Sequence, residues 1–133
     1  MLWMVDANEH FLGLMILENF MDLQLKNKTA LVTGASVGIG RGIAKALAAE
    51  GVRVAISARR VDKLNELSRE IVAAGGLEPV VIESDLYPED AAMRLGAAAI
   101  AGLGHVDILI NNAGGSRSFK ELHVGEEAWQ EAI

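Results

Sequence analysis

The chain has 133 residues, 51% of them apolar, with a formal charge of -6 and no cysteine. That is one domain's length with enough apolar mass for a core. The acidic balance excludes a nucleic-acid surface, which needs clustered Lys and Arg where only Arg59 and Arg60 adjoin here, and the lack of cysteine excludes disulfides and thiolate chemistry, as suits a cytoplasmic location.

Residues 1–20, MLWMVDANEHFLGLMILENF, carry Asp6, Glu9 and Glu18 and no Lys or Arg, and their longest apolar run is Phe11 to Leu17. That run is too short to cross a bilayer and lacks the basic start of a secretory signal. Acidic flanks repel anionic lipid, so no membrane contact is expected, although an amphipathic partner or membrane helix stays open as a reading. The other reading is an extension upstream of a natural start at Met21, where MDLQLKNKTALVTGAS enters a first strand. The domain is therefore expected over residues 21–133.

From Thr29 onward, short apolar runs rich in branched residues alternate with longer stretches at helical spacing, the pattern of a parallel sheet with crossover helices. The expected strands are TALVT (29–33), VRVAIS (52–57), PVVIES (79–84) and VDILI (106–110). Ile39, Ile43, Ala46 and Leu47 share one face of a helix from about Ile39 that stops at Gly51. A second helix runs through Val61, Leu64, Leu67 and Ile71 to Gly75 and Gly76. A third is expected to open at Pro88 with Glu89 and Asp90 in its first turn, to turn Met93, Ala97 and Ile100 inward, and to stop near Gly102 to Gly104. GEEAWQEAI at the end starts a fourth.

TGASVGIG, residues 33–40, joins the first strand to the first helix. A helix there presents unpaired N–H groups beyond the sheet edge, which suits phosphate. Glycine supplies positive φ and lets a pyrophosphate reach the backbone: Gly34 at the tight turn, Gly38 at the approach, Gly40 at the helix opening. Many loops need glycine for sterics alone, but here strand and helix both flank the turn. The phosphate loop of ATPases is excluded, because Arg41 and Gly42 follow where Lys and Ser or Thr are required.

The spacing G-x-x-x-G-x-G headed by Thr33 resembles the cofactor motif of the short-chain dehydrogenase/reductase family. NNAG, Asn111 to Gly114, directly follows the fourth strand, where that family carries the same tetrapeptide. Asp85 follows the third strand in ESDL, where the family has an Asp that meets the adenine amino group while the next backbone, here Leu86, completes the contact. The resemblance covers about residues 22–133 and implies a Rossmann-type α/β fold, a doubly wound parallel sheet truncated to four strands in the order 3-2-1-4. It implies a nicotinamide cofactor held by Thr33, Gly34, Ser36, Gly38, Ile39, Gly40, Asp85, Leu86, Asn112, Ala113 and Gly114. Without the family, turn chemistry is the alternative reading of Asp85, and a loop that tolerates left-handed backbone that of the asparagine pair.

At the end of the second strand a carboxylate selects NAD, and an arginine accepts the 2′-phosphate of NADP. Ala58 stands where NAD-selective relatives place an acid, and Arg59 and Arg60 follow, which favours NADP over NAD with Arg59 as the better contact. Val37 departs from the basic residue that NADP-preferring members often carry there. Two arginines solvated at a helix start are the alternative reading.

The family's chemistry is hydride transfer between nicotinamide and an alcohol or carbonyl carbon, with a Tyr as general acid/base. A phenol with its ordinary pKa of about 10 is a poor base at neutral pH, so a nearby Lys belongs to the mechanism. No catalytic Ser, Tyr-x-x-x-Lys or Asn can be assigned within residues 1–133: the single tyrosine, Tyr87, follows the third strand beside Pro88. The chain alone is expected to be inactive. It reads as the cofactor half of an NADP-dependent oxidoreductase of small carbonyl or alcohol substrates, with a non-catalytic nucleotide-binding or pairing module and an inert fragment as alternatives. Gly115 to Lys120 starts a substrate rim. The fourth strand leaves an uncovered apolar edge, so self-association as a homo-oligomer is expected.

Overall fold

A computed structural model describes residues 22–114, and in it the apolar run Thr29–Thr33 forms a central strand, β1, buried along its whole length. The expectations for residues 1–20, the rim from Gly115 and the fourth helix lie outside the described residues. After β1 come α1 (Gly38–Ala49), β2 (Arg53–Ala58), α2 (Val61–Ala73), β3 (Val80–Glu83), α3 (Ala91–Leu103) and β4 (Ile108–Ile110). The strands are parallel in the order β3-β2-β1-β4. This is the doubly wound Rossmann-type sheet expected from the sequence.

Side chains alternate across the sheet, so each central strand feeds two cores. Ala30 and Val32 of β1 join Val54 and Ile56 of β2 against Ala44, Ala48, Leu64, Leu67 and Ile71 of α1 and α2. On the other face, Leu31 and Ala55 meet Leu95, Ala99 and Leu103 of α3. Leu64 and Leu67 are fully buried, and truncating either to Ala costs about 2–5 kcal/mol in a site of this kind.

The strand ends differ slightly from the sequence pattern. Val52 N–H bonds the Leu47 carbonyl at 3.1 Å, which ties that residue to the end of α1, so β2 starts one residue late. Asp107 turns its N–H to the Thr29 carbonyl at 3.1 Å, and its Oδ2 accepts from Thr29 N–H (2.9 Å) and Thr29 Oγ1 (3.1 Å). This clasp joins the bases of β1 and β4, and the regular strand follows it.

Two helix faces need correction. In α1 the buried residues are Gly40, Ala44 and Ala48, with Ile43 and Leu47 half-buried beside them and Ile39 76% exposed. In α3 they are Ala91, Leu95, Ala99 and Leu103, whereas Met93 is 79% and Ile100 53% exposed and Ala97 is also outside. In α1 the small inner line lets the helix axis approach the sheet, and in α3 Leu95 and Leu103 alternate with two alanines on the inner line. The opening of α3 also moves from Pro88 to Ala91. The Pro88 carbonyl closes a turn with Ala91 N–H at 3.0 Å, and the first helical acceptor is Asp90, bonded by Arg94 N–H at 3.1 Å. The three helices give way to positive-φ Gly51, Gly75 and Gly104, as the sequence indicated.

Candidate functional site

The site begins where β1 ends. Gly34 has φ +67°, and after it Ala35 N–H bonds the Ser57 carbonyl of β2 at 3.0 Å, which pins the turn to the neighbouring strand. Val37 occupies the N-cap of α1 and offers no side-chain acceptor, and the first turn carries no acid. The opening N–H groups and the positive end of the helix dipole are left for an external anion. Gly38 has φ +60°, and a Cβ there would meet nothing within 4 Å, so its outer face is open.

Gly40 faces the other way. A Cβ there would strike the Asn112 side-chain amide and lie 2.5 Å from the Gly34 carbonyl oxygen. At Gly34 a Cβ would come within 2.9 Å of Ala113 Cα. The glycine turn therefore packs on the NNAG segment at backbone distance. Thr33 Oγ1 donates to the Ile110 carbonyl (3.1 Å) and accepts from Asn112 N–H (3.0 Å) and Ala113 N–H (2.9 Å). Asn112 Nδ2 donates to the Thr33 and Gly34 carbonyls, each at 3.2 Å. Two motifs nearly 80 positions apart form one hydrogen-bonded unit, with buried Thr33 as its hub.

At the end of β2, Ala58 is half-buried and Arg59 and Arg60 are exposed. Arg60 holds the N-cap position of α2, and its Nη2 donates to Ser36 Oγ at 3.4 Å. Among the described residues Arg59 has no side-chain hydrogen bond, so Arg60 is the one that reaches the glycine turn.

Sequence reasoning missed Arg41. Its Nη1 donates to the Ser36 carbonyl (3.3 Å) and the Lys63 carbonyl (3.2 Å), and its Nη2 to Glu70 Oε1 at 2.6 Å. Lys45 Nζ holds the other Glu70 oxygen at 3.1 Å. The Lys45 hydrogen bond, followed by that of Arg41, holds the Glu70 carboxyl below its ordinary pKa. Nothing local signals this: Arg41 and Glu70 are 29 positions apart.

Asp85 and Leu86 are exposed in the loop between β3 and α3. Asp85 Oδ1 accepts Tyr87 N–H at 3.2 Å, a side-chain turn of the kind that Asp favours. A groove of about 380 Å³ runs beside it, lined by Ile82, Ser84, Asp85, Pro88, Arg94 and Leu95 among others, and no residue of the glycine turn lines it. Tyr87 is 85% exposed. Among the described residues no cluster of His, Cys, Asp or Glu could hold a metal ion, and no helix is long and apolar enough to cross a membrane.

A profile of the short chain dehydrogenase family matches residues 28–133. The chain belongs to that family. It is 47% identical over 94 residues to a short chain dehydrogenase of Pseudocercospora fijiensis, covering 71% of this chain and 30% of that one. It is 39% identical over 108 residues to a 3-oxoacyl-[acyl-carrier-protein] reductase of Staphylococcus epidermidis, covering 80% and 44%. A metagenomic short-chain oxidoreductase crystallised with NADP superposes with a TM-score of 0.70 at 42% identity, covering 79% of this chain and 48% of that one. The chain thus spans less than half the length of these relatives.

As a short-chain dehydrogenase, the segment joins its glycine turn, NNAG unit and basic β2 end at the carboxyl edge of one parallel sheet. That arrangement can hold a multiply charged anion against backbone donors with arginine at the rim. Asp85 and Leu86 stand at the same edge beyond β3, apart from the hydrogen-bonded unit.

Proposed function

We propose that this chain is the nucleotide-holding part of an NADP-dependent oxidoreductase that moves hydride between nicotinamide and an alcohol or carbonyl carbon. The observation that carries this reading is the Arg60 guanidinium 3.4 Å from Ser36 Oγ, at the rim of a glycine turn whose helix has no side-chain cap. An acid at Ala58 would repel a 2′-phosphate, and none is there.

The residues fit such a cofactor. Gly38 leaves room that a Cβ would fill, and the opening of α1 supplies N–H donors for a pyrophosphate. Thr33, Gly34, Ser36, Ile39 and Gly40 complete that cradle. Arg59 and Arg60 take the 2′-phosphate, because a guanidinium matches a phosphate with paired donors. Asp85 and the Leu86 backbone hold the adenine, and Asn112, Ala113 and Gly114 line the path towards the nicotinamide. When bound, the cofactor supplies the hydride donor or acceptor; the chain's own residues bind and orient it.

A small carbonyl or alcohol substrate, a cytoplasmic location and a homo-oligomer complete the reading, and the 3-oxoacyl reductase among the relatives supports the carbonyl. Within residues 1–133 there is no Tyr-x-x-x-Lys, so the 133-residue chain binds NADP without turning it over.

Isothermal titration of the chain with NADP and NAD tests the reading. NADP should bind more tightly, and Arg59→Ala and Arg60→Ala should each weaken that preference; equal binding of both nucleotides, or both variants with the preference intact, refutes the assignment of these residues. A robust rate of NADPH oxidation by the purified chain with any carbonyl would overturn the statement on turnover. Coding sequence beyond codon 133 that carries a Ser followed by Tyr-x-x-x-Lys would support the oxidoreductase over a binding module.

A further inference from the structure

Arg41 stands in the first turn of α1, where a cation opposes the helix dipole. The helix alone gains nothing from it, so its contribution lies in what it joins. Its side chain is only 21% exposed. One nitrogen bridges the Ser36 carbonyl in the glycine turn and the Lys63 carbonyl in the first turn of α2, and the other is held by Glu70.

Ser36 links this brace to the rim. Its carbonyl is held by Arg41 and its hydroxyl receives Arg60 Nη2 at 3.4 Å. Arg60 is itself the N-cap of the helix that Arg41 grips through Lys63. Arg41 therefore fixes both sides of the Arg60–Ser36 contact: the turn that carries the hydroxyl and the helix start that carries the guanidinium.

We infer that Arg41, clamped by Glu70, is a positioning residue that sets the gap between the glycine turn and Arg60, and so the preference for a nucleotide bearing a 2′-phosphate on its adenosine. The inference rests on the NADP reading above and assigns the control of its selectivity to residues that need not touch the nucleotide.

The test is titration of the full chain with NADP and NAD at fixed ionic strength, with circular dichroism melting of each variant. Arg41→Met should raise the NADP Kd about tenfold and the NAD Kd less than about twofold, the loss of one charge-assisted hydrogen-bond set expressed as affinity. Glu70→Gln should shift the ratio in the same direction by about threefold. In an Arg60→Ala background, Arg41→Met should leave the NADP to NAD ratio unchanged, because the residue through which it acts is gone.

A wild-type chain that binds neither nucleotide overturns the NADP reading and this inference together. A wild type that prefers NADP, with Arg41→Met weakening both nucleotides equally, overturns the inference alone and leaves Arg41 as a structural brace. So does a ratio shift that persists without Arg60. Should Arg41→Met fail to fold, Glu70→Gln decides, and an unchanged ratio in that variant refutes the proposal.

Discussion

Gly40 and Gly42 lie two residues apart in α1 and respond to alanine with opposite signs. At Gly42 an added Cβ meets nothing within 4 Å and the residue is exposed. Gly42→Ala should therefore stabilise the protein by about 0.5–1 kcal/mol through helix propensity and a less flexible unfolded chain. At Gly40 the new Cβ overlaps the Asn112 amide and sits 2.5 Å from the Gly34 oxygen and 3.0 Å from its carbonyl carbon. Asn112 must give up its bonds to the Thr33 and Gly34 carbonyls, and because the Gly34 backbone cannot swing aside, α1 must also move off the turn. Two lost hydrogen bonds at about 1 kcal/mol each, with overpacking of about 1–3 kcal/mol, outweigh a propensity gain near 1 kcal/mol, which leaves Gly40→Ala about 2–4 kcal/mol less stable. Urea denaturation followed by far-ultraviolet circular dichroism reads both. A Gly40→Ala protein as stable as wild type would refute the close approach of the turn to Asn112; loss of stability in both variants would refute the orientation of α1.

Three other outcomes follow from the same contacts. Gly38→Ala forces an alanine to φ +60°, costing about 1 kcal/mol in urea melts, yet it should abolish measurable NADP binding in titrations because the Cβ fills the approach; retained binding would sink the cradle. Thr33→Val removes one donated and two accepted hydrogen bonds at a buried hub and should cost about 2–3 kcal/mol, with Thr33→Ser near wild type by the same melt. Asp107 is held below its ordinary pKa, first by Thr29 N–H and then by the Thr29 hydroxyl. Its carboxylate therefore stabilises the fold above the ordinary carboxyl range, about pH 4, and that contribution disappears as pH falls through the lowered folded value. Urea midpoints should drop from pH 5 to pH 3 in wild type and drop less in Asp107→Asn; equal slopes would refute the clasp.

How much of this was legible in the sequence depends on what each signal measures. Buried parallel strands announce themselves because both faces must be apolar, and TALVT matches β1 to the residue. Strand ends are set by bonds to distant groups, such as Asp107 to Thr29, and such bonds leave no local pattern. The glycine turn was legible because positive φ at Gly34 and Gly38 demands glycine. The same spacing could not reveal that Gly40 is a glycine for Asn112's sake.

The two helix faces were misread where the apolar pattern did not single out one line. Periodicity finds the line of largest apolar residues, while contact with a sheet selects the line that permits closest approach. In α2 the two coincide, because charged and polar residues fill most of the outer face and Leu64, Leu67 and Ile71 are the line that is buried. In α3, AAMRLGAAAIAGL, nearly every residue is apolar or small, so the pattern has little contrast: the line Ala91, Leu95, Ala99 and Leu103 goes in while Met93 and Ile100 stay out. In α1 closest approach places Gly40, Ala44 and Ala48 inward, and this brings the helix's N-terminus onto the Thr33–Asn112 unit. The small inner line is thus what sets the anion-accepting end of α1 beside the NNAG segment. A bulkier residue at Ala44 or Ala48 would act on the site by tilting that helix, without touching any ligand.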